Sequence, residues 1–125
     1  MKTQKIFQLI SFSFLSFLSF FNIMQQAKAQ VSVSDSLELV NFYYATGGDD
    51  WYYNDGWLVE PVSEWHGITL NDAGTSVQTI EMNSNNLEGT ILNLNLPNLR
   101  ELNFRRNKLT GNIPDFSNLP KLQFL

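Results

Sequence analysis

The chain has 125 residues, enough for one domain, with no cysteine, one histidine and a formal net charge of −4. The absence of cysteine excludes disulfide bonds, and with a single histidine it also excludes a typical zinc site. The acidic balance argues against nucleic acid or an anionic membrane surface as a partner.

The start of the chain, over 1–29, has the pattern of an export signal. Lys2 and Lys5 form a basic start, an apolar run covers 6–24, and Ala27-Lys28-Ala29 supplies a small-residue cleavage site. A membrane anchor is the alternative, because the apolar run over 6–24 is long enough to span a bilayer. The interspersed serines and the cleavage site favour a signal peptide over 1–29, with the mature protein secreted or at the cell surface.

Charge is unevenly distributed in the chain that would remain after cleavage. It has five basic residues against twelve acidic ones, a net charge of −7. Residues 30–98 carry ten acids and no lysine or arginine, whereas 99–125 carry five bases and two acids. Solubility is the simplest interpretation of such a surface.

A single short helix is predicted near the start of the mature chain, over about 35–46. Asp35 and Glu38 have the spacing of a capping box. Gly47-Gly48 would end the helix, because glycine adopts the left-handed conformation of a helix C-cap without steric cost. The residues predicted to form the apolar stripe of this helix are Leu37, Val40 and Tyr44.

An aromatic segment follows the helix. Its bulky Trp51 and Trp57, with Trp65 further on, are predicted to be buried. Residues 64–70 and 76–80 are then predicted to form two strands joined by a tight loop. A platform for sugar rings, built from the aromatic residues of this segment, is the alternative to simple packing. Its members would be Trp51, Tyr52, Tyr53 and Trp57.

The segment 77–125 contains a repeat. The pattern of apolar residues, asparagine and glycine in 77–91 recurs in 99–114, and 122–125 begins a third copy. A period of roughly 20 to 29 residues with the pattern L-x-x-L-x-L-x-x-N-x-L is typical of leucine-rich repeats. The chain therefore resembles leucine-rich repeat proteins, and its L-x-G-x-I-P tail is similar to the subtype of plant receptors and secreted bacterial repeat proteins.

The segment before the repeats extends this resemblance. Tyr44–Trp51 and Trp65–Ile68 are similar to the N-terminal caps of exported bacterial repeat proteins, without the paired cysteines of the plant members. The resemblance implies an α/β solenoid with a short parallel sheet on its concave face and a helix-plus-hairpin cap. The implied organisation is a signal peptide over 1–29, a cap over 30–76, and repeats over 77–125, two complete and a third truncated.

The resemblance assigns a role to each repeat position. Asn85 and Asn107 would bond to backbone groups at the sharp bends. The residues expected to point into the core are Ile80, Met82, Leu87, Ile91, Leu102, Phe104, Leu109 and Ile113. The residues expected to form a binding row on the concave face, which such solenoids use for partners, are Thr79, Glu81, Asn83, Glu101, Asn103 and Arg105. Ser84 and Arg106 lie at the end of the same row. An ordinary hydrated sheet face is the alternative for this row.

No catalytic or metal-binding motif is recognised. The acidic turn around Gly56 fails the EF-hand template, because Trp51 and Tyr53 occupy positions that need carboxylates. Neither a nucleophile elbow nor a phosphate-binding loop occurs. The sequence therefore predicts no enzyme activity, no cofactor and no metal.

The expected function is that of an exported, non-enzymatic module that recognises a protein or cell-surface partner through the concave face. The alternative is a carbohydrate-binding module, or the N-terminal recognition segment of a larger exported glycan-processing enzyme. Self-association through an uncapped C-terminal end is a further expectation, because Leu125 lies inside the third repeat.

Overall fold

A computed structural model describes residues 29–123 as one helix followed by five short strands. The predicted signal peptide over 1–29 lies outside the described residues, except for Ala29. Short 3-10 turns occupy Gly48–Asp50, Val62–Glu64 and Phe116–Asn118. The helix and strands are α1 (Val33–Ala45), β1 (Ile68–Leu70), β2 (Val77–Glu81), β3 (Glu88–Thr90), β4 (Glu101–Asn103) and β5 (Lys108–Thr110).

The strands form two small sheets. In the first, β1 pairs antiparallel with β2, as the sequence predicted for the hairpin, and β2 pairs parallel with β4. In the second, β3 pairs parallel with β5. The parallel partners in the first sheet include Thr79 with Glu101 and Ile80 with Leu102, so equivalent positions of the two repeats lie side by side in the sheet.

The predicted leucine-rich repeat solenoid is wrong. The structure has one helix and two sheets, of three and two strands, which together form a small α/β domain. A solenoid buries its apolar residues by stacking each coil on the next. Here the helix, the tryptophan segment and both repeats bury their side chains in one common core instead. Within residues 29–123 the third copy of the repeat forms no strand. Its Gln123 N–H donates one hydrogen bond of 2.8 Å to the Arg100 carbonyl.

The three tryptophans lie in this core, as predicted. Trp51, Trp57 and Trp65 are each at most 6% exposed, and Trp57 stacks on Trp65 with ring centroids 4.6 Å apart. Each indole N–H donates to a backbone carbonyl, for example Trp51 to Thr46 at 2.9 Å and Trp65 to Glu60 at 2.7 Å. The rings can therefore be buried without leaving a polar group unsatisfied.

Helix α1 begins about two residues earlier than predicted and buries a different set of side chains. Its N-cap is Ser32, whose hydroxyl accepts the Asp35 N–H, so Asp35 lies in the first turn and is not the cap. The predicted apolar stripe is wrong for Leu37 and Tyr44, which are 57% and 67% exposed, whereas Val40 is half-buried against the core. The helix does end before Gly47, which has a φ of 70°, as predicted. The residues that α1 buries are Asp35, Leu39, Phe42 and Tyr43.

Four of the eight predicted inward positions are fully buried. Ile80, Met82, Leu87 and Leu102 are at most 1% exposed. The prediction is wrong for Ile113, which is 84% exposed. It follows β5, one of the two strands of the second sheet, after which the chain leaves the sheet. Three other positions, namely Ile91, Phe104 and Leu109, are half-buried, and the last two pack against the core.

Candidate functional site: a polar sheet face

Four of the six predicted binding residues lie on one side of the first sheet, and the other two, Asn83 and Arg105, follow β2 and β4 by two residues. We call all six the sheet face: Thr79, Glu81, Asn83, Glu101, Asn103 and Arg105. Thr79 lies beside Glu101 and Glu81 beside Asn103, because each pair is in register across β2 and β4. Thr79 and Asn103 are half-buried and the other four are exposed. The parallel pairing of β2 and β4 therefore joins polar residues of the two repeats into a single surface.

A hydrogen-bond network occupies the middle of the sheet face. The Glu81 carboxylate accepts from the side-chain amide of Asn103 at 2.8 Å and from that of Asn83. The Asn103 side-chain oxygen in turn accepts the Arg105 backbone N–H at 3.1 Å. These bonds fix the orientation of both carboxamides, so this part of the face is ordered before any ligand arrives.

One end of the sheet face contains a basic hollow. Two arginines and two asparagines line an open depression of about 240 Å³, and we call it the arginine hollow: Asn83, Asn103, Arg105 and Arg106. Arg106 lies at the end of the predicted row, next to Arg105, and adds a second cation to this end of the sheet face. Both arginine side chains are exposed.

Two buried or half-buried asparagines hold the turns at this end of the sheet. The Asn107 amide donates to the carbonyls of Met82 at 2.7 Å and Phe104 at 2.9 Å. Its oxygen accepts the backbone N–H groups of Asn85 and Leu87, each at 3.0 Å. Asn85 is 1% exposed and bonds to both backbone groups of Tyr53. The predicted role of both asparagines in satisfying backbone groups is therefore confirmed.

The aromatic segment does not form the four-residue platform considered as an alternative. Trp51 and Trp57 belong to the core, whereas Tyr52 and Tyr53 are 69% and 54% exposed. Tyr53 stacks on the exposed His66, with ring centroids 5.3 Å apart. The burial of both indoles leaves two tyrosines available at the surface.

Tyr43 is a buried phenol at the end of helix α1 whose pKa is raised. Burial raises the pKa of its phenol to about 12, and the hydrogen bond that it donates to Asp49 at 2.7 Å adds to the increase. This hydroxyl lies at the C-terminal part of α1, away from the sheet face in sequence, and it has a clear structural partner. Within residues 29–123 there is also no group of three or more His, Cys, Asp or Glu side chains able to hold a metal ion.

Two larger hollows are mainly apolar. One, of about 620 Å³, lies between the start of the described chain and the β1–β2 loop, and its lining includes Val31, Val62 and Leu70. The other, of about 320 Å³, lies beside the second repeat, and its lining includes Leu109, Ile113 and Phe116. No helix in the described part of the chain is long and apolar enough to cross a membrane.

The fold and the sheet face define a small α/β domain that presents one polar surface built from two parallel strands. Comparison of the chain with family models, with curated proteins and with solved structures finds no match. Its function therefore has to be inferred from the geometry of the sheet face and from the sequence.

Proposed function

We propose that the protein is an exported, non-enzymatic binding module that recognises a protein or cell-surface partner through the sheet face. The observation that carries the proposal is the alignment of Thr79, Glu81, Glu101 and Asn103 on one side of β2 and β4, with Asn83 and Arg105 two residues beyond the strand ends. The proposal of export depends on the composition of residues 1–29.

The arrangement of this surface supports recognition. Adjacent strands lie roughly 4.8 Å apart and residues on one face repeat at roughly 6.6 Å along a strand, so the six side chains form a continuous patch. Carboxylate, carboxamide, hydroxyl and guanidinium groups alternate within it, which provides both donors and acceptors for a partner. A network that orders Glu81, Asn103 and Asn83 in advance also lowers the entropy lost on binding.

A screen for partners with a matched variant tests the proposal. The protein would be applied to an array of extracellular proteins and cell-surface glycans, in parallel with the triple variant Glu101→Ala, Asn103→Ala and Arg105→Ala. We expect each partner bound by the wild type to bind the variant at least about tenfold more weakly, because three central contacts are lost.

The control replaces the same kinds of side chain on the second sheet and after it. Glu88→Ala, Lys108→Ala and Asn112→Ala remove one acid, one base and one amide from exposed positions outside the sheet face. The control should keep wild-type affinity, and thermal melting should show that both triple variants are folded. A partner that binds the sheet-face variant as well as the wild type would contradict the proposal.

A glycan-binding role is the second candidate, supported by the exposure of Tyr52 and Tyr53. Aromatic rings at a surface can stack on the apolar faces of sugar rings. The same array distinguishes it: glycan binding that is lost in Tyr52→Ala with Tyr53→Ala, but kept in the sheet-face variant, would favour this role over the sheet face.

We also propose that the protein associates with itself through the second repeat. Ile113 is 84% exposed, and it lines an apolar hollow of about 320 Å³ beside the second repeat. Exposed apolar surface of this kind favours contact with another chain.

A further inference from the structure

We propose that the arginine hollow binds a carboxylate group of an acidic peptide segment in a protein partner. This inference rests on the proposed function, because the hollow forms one end of the sheet face. It adds the chemical class of the partner, which the polar character of the face alone does not determine.

The two guanidinium groups have no partner in the described part of the chain. The hydrogen bonds of Arg105 use its backbone, whose N–H is accepted by Asn103 and whose C=O accepts from Ser84 and Asn107. Within residues 29–123, no side-chain hydrogen bond involves the guanidinium group of Arg105 or Arg106. The two cations therefore face solvent at adjacent positions of a small hollow.

The acids of the sheet face form no hydrogen bond with these arginines within residues 29–123. The Glu81 carboxylate accepts instead from two carboxamides, those of Asn83 and Asn103. Glu101 precedes Arg105 by four residues, up to about 13 Å along an extended chain at roughly 3.3 Å per residue. A ligand carboxylate would thus supply the acceptor that both guanidinium groups lack.

The backbone that carries the arginines is held in place. Arg106 has a φ of 55°, a left-handed conformation that residues with a side chain rarely adopt. The Asn107 amide fixes this turn through the carbonyls of Phe104 and Arg105, at 2.9 and 3.2 Å. The turn therefore presents adjacent arginines from a fixed backbone, and binding has to order only their side chains.

The chemistry of the lining favours a carboxylate. A planar guanidinium group donates two parallel hydrogen bonds that match the two oxygens of a carboxylate. Asn83 is exposed, and its position beside the arginines offers a further polar group to a bound chain. Residues 30–98 carry ten acids and no lysine or arginine, so an acidic segment is repelled by most of that surface and directed to this end.

The probe is the peptide acetyl-Gly-Asp-Asp-Gly amide, titrated into isotopically labelled protein while backbone amide NMR signals are recorded. We expect saturable shifts confined to the residues around the hollow, 83–84 and 103–107. The apparent affinity measured from these shifts should fall at least about tenfold when sodium chloride is raised from 50 to 500 mM, because the contact is ionic. The same peptide with asparagine in place of aspartate should cause no such shifts.

The variant Arg105→Gln with Arg106→Gln removes both charges but keeps polar side chains at both positions. We expect peptide affinity to fall at least about tenfold for each charge removed. The matched control, Arg100→Gln with Lys108→Gln, removes two exposed cations outside the hollow and should keep wild-type affinity. Absence of localised shifts, an equal response to the asparagine peptide, or unchanged affinity in the arginine variant would each overturn the inference. So would shifts at these residues with inorganic sulfate but not with the peptide.

The two sets of variants separate the inference from the proposed function. If an array partner is lost in the sheet-face variant but binds Arg105→Gln with Arg106→Gln normally, the sheet face stands and the acidic-segment inference fails. If the aspartate peptide binds at the arginines while array partners bind the sheet-face variant as they bind the wild type, the hollow binds carboxylates and the proposed function fails.

Discussion

The hydroxyl of Tyr43 connects helix α1 to the 3-10 turn that follows it. The ring is 5% exposed, and the hydroxyl donates to Asp49 at 2.7 Å. Burial and this bond raise the phenol pKa from 10.0 to about 12, so the folded state favours the protonated form. The stability that the protonated hydroxyl contributes is therefore present below pH 10 and is lost as the pH rises from 10 to 12.

Tyr43→Phe should reveal this dependence. At pH 8 the variant should be less stable by about 1 kcal/mol, the usual net value of one hydrogen bond. Between pH 10 and 12 the difference should shrink, because the wild type alone has to deprotonate this hydroxyl. Urea unfolding at each pH measures it, with Tyr44→Phe as the control, since Tyr44 is 67% exposed on the same helix. A difference that stays constant across this range would refute the assignment.

Among the elements, the start of α1 is joined to the first sheet by one buried carboxylate. Asp35 is 4% exposed; one of its oxygens accepts from the Ser32 hydroxyl at 2.8 Å and the other from the Val77 N–H at 2.8 Å. Ser32 also donates its backbone N–H to the Thr75 carbonyl. The cap of the helix and the first residue of β2 thus share a single side chain.

Two substitutions distinguish the stability contributed by the helix cap from that contributed by the bond between Asp35 and Val77. Ser32→Ala removes the cap and should lower the free energy of unfolding by about 1 kcal/mol. Asp35→Ala should lower it by about 3 kcal/mol, because it also leaves the Val77 N–H buried without a partner. Ser34→Ala, at an exposed position in the same turn, is the control. Equal losses for Ser32→Ala and Asp35→Ala in urea titrations would show that the bond to Val77 contributes little.

In the molecule as a whole, the second repeat presents exposed apolar surface. An apolar hollow of about 320 Å³ lies beside it, with Ile113 84% exposed at its margin. Exposed apolar area favours contact with a second copy of the chain. This is the surface to which we assign self-association.

Ile113→Lys should weaken that association. A charge in the contact would have to be desolvated, so we expect the dimer dissociation constant to rise at least about tenfold. Sedimentation equilibrium over a range of concentrations measures it. Val59→Lys is the matched control, since Val59 is 85% exposed and lies far from the second repeat in sequence. If both variants associate like the wild type, the contact lies elsewhere.

The arrangement of the candidate site was largely predictable from sequence. Side chains alternate between the two faces of a strand, and equivalent residues of the two repeats pair across β2 and β4. Segments 77–91 and 99–114 share one pattern of apolar residues, which predicts that Thr79 meets Glu101 and that Glu81 meets Asn103, as observed. The structural roles of Asn85 and Asn107 follow from the same repetition. Strand alternation does not indicate Arg106, because this residue lies in a turn with a positive φ.

Local pairing follows from the amino-acid pattern: the β1–β2 hairpin, the parallel strands of the repeat and the burial of three tryptophans. The buried face of α1 depends on packing, because Leu37 and Leu39 are equally apolar and differ only in what lies opposite them. The architecture depends on packing too. Helix, tryptophans and both repeats share one core, and apolar side chains are stabilised by any close-packed neighbour, so a repeating pattern alone does not ensure a solenoid.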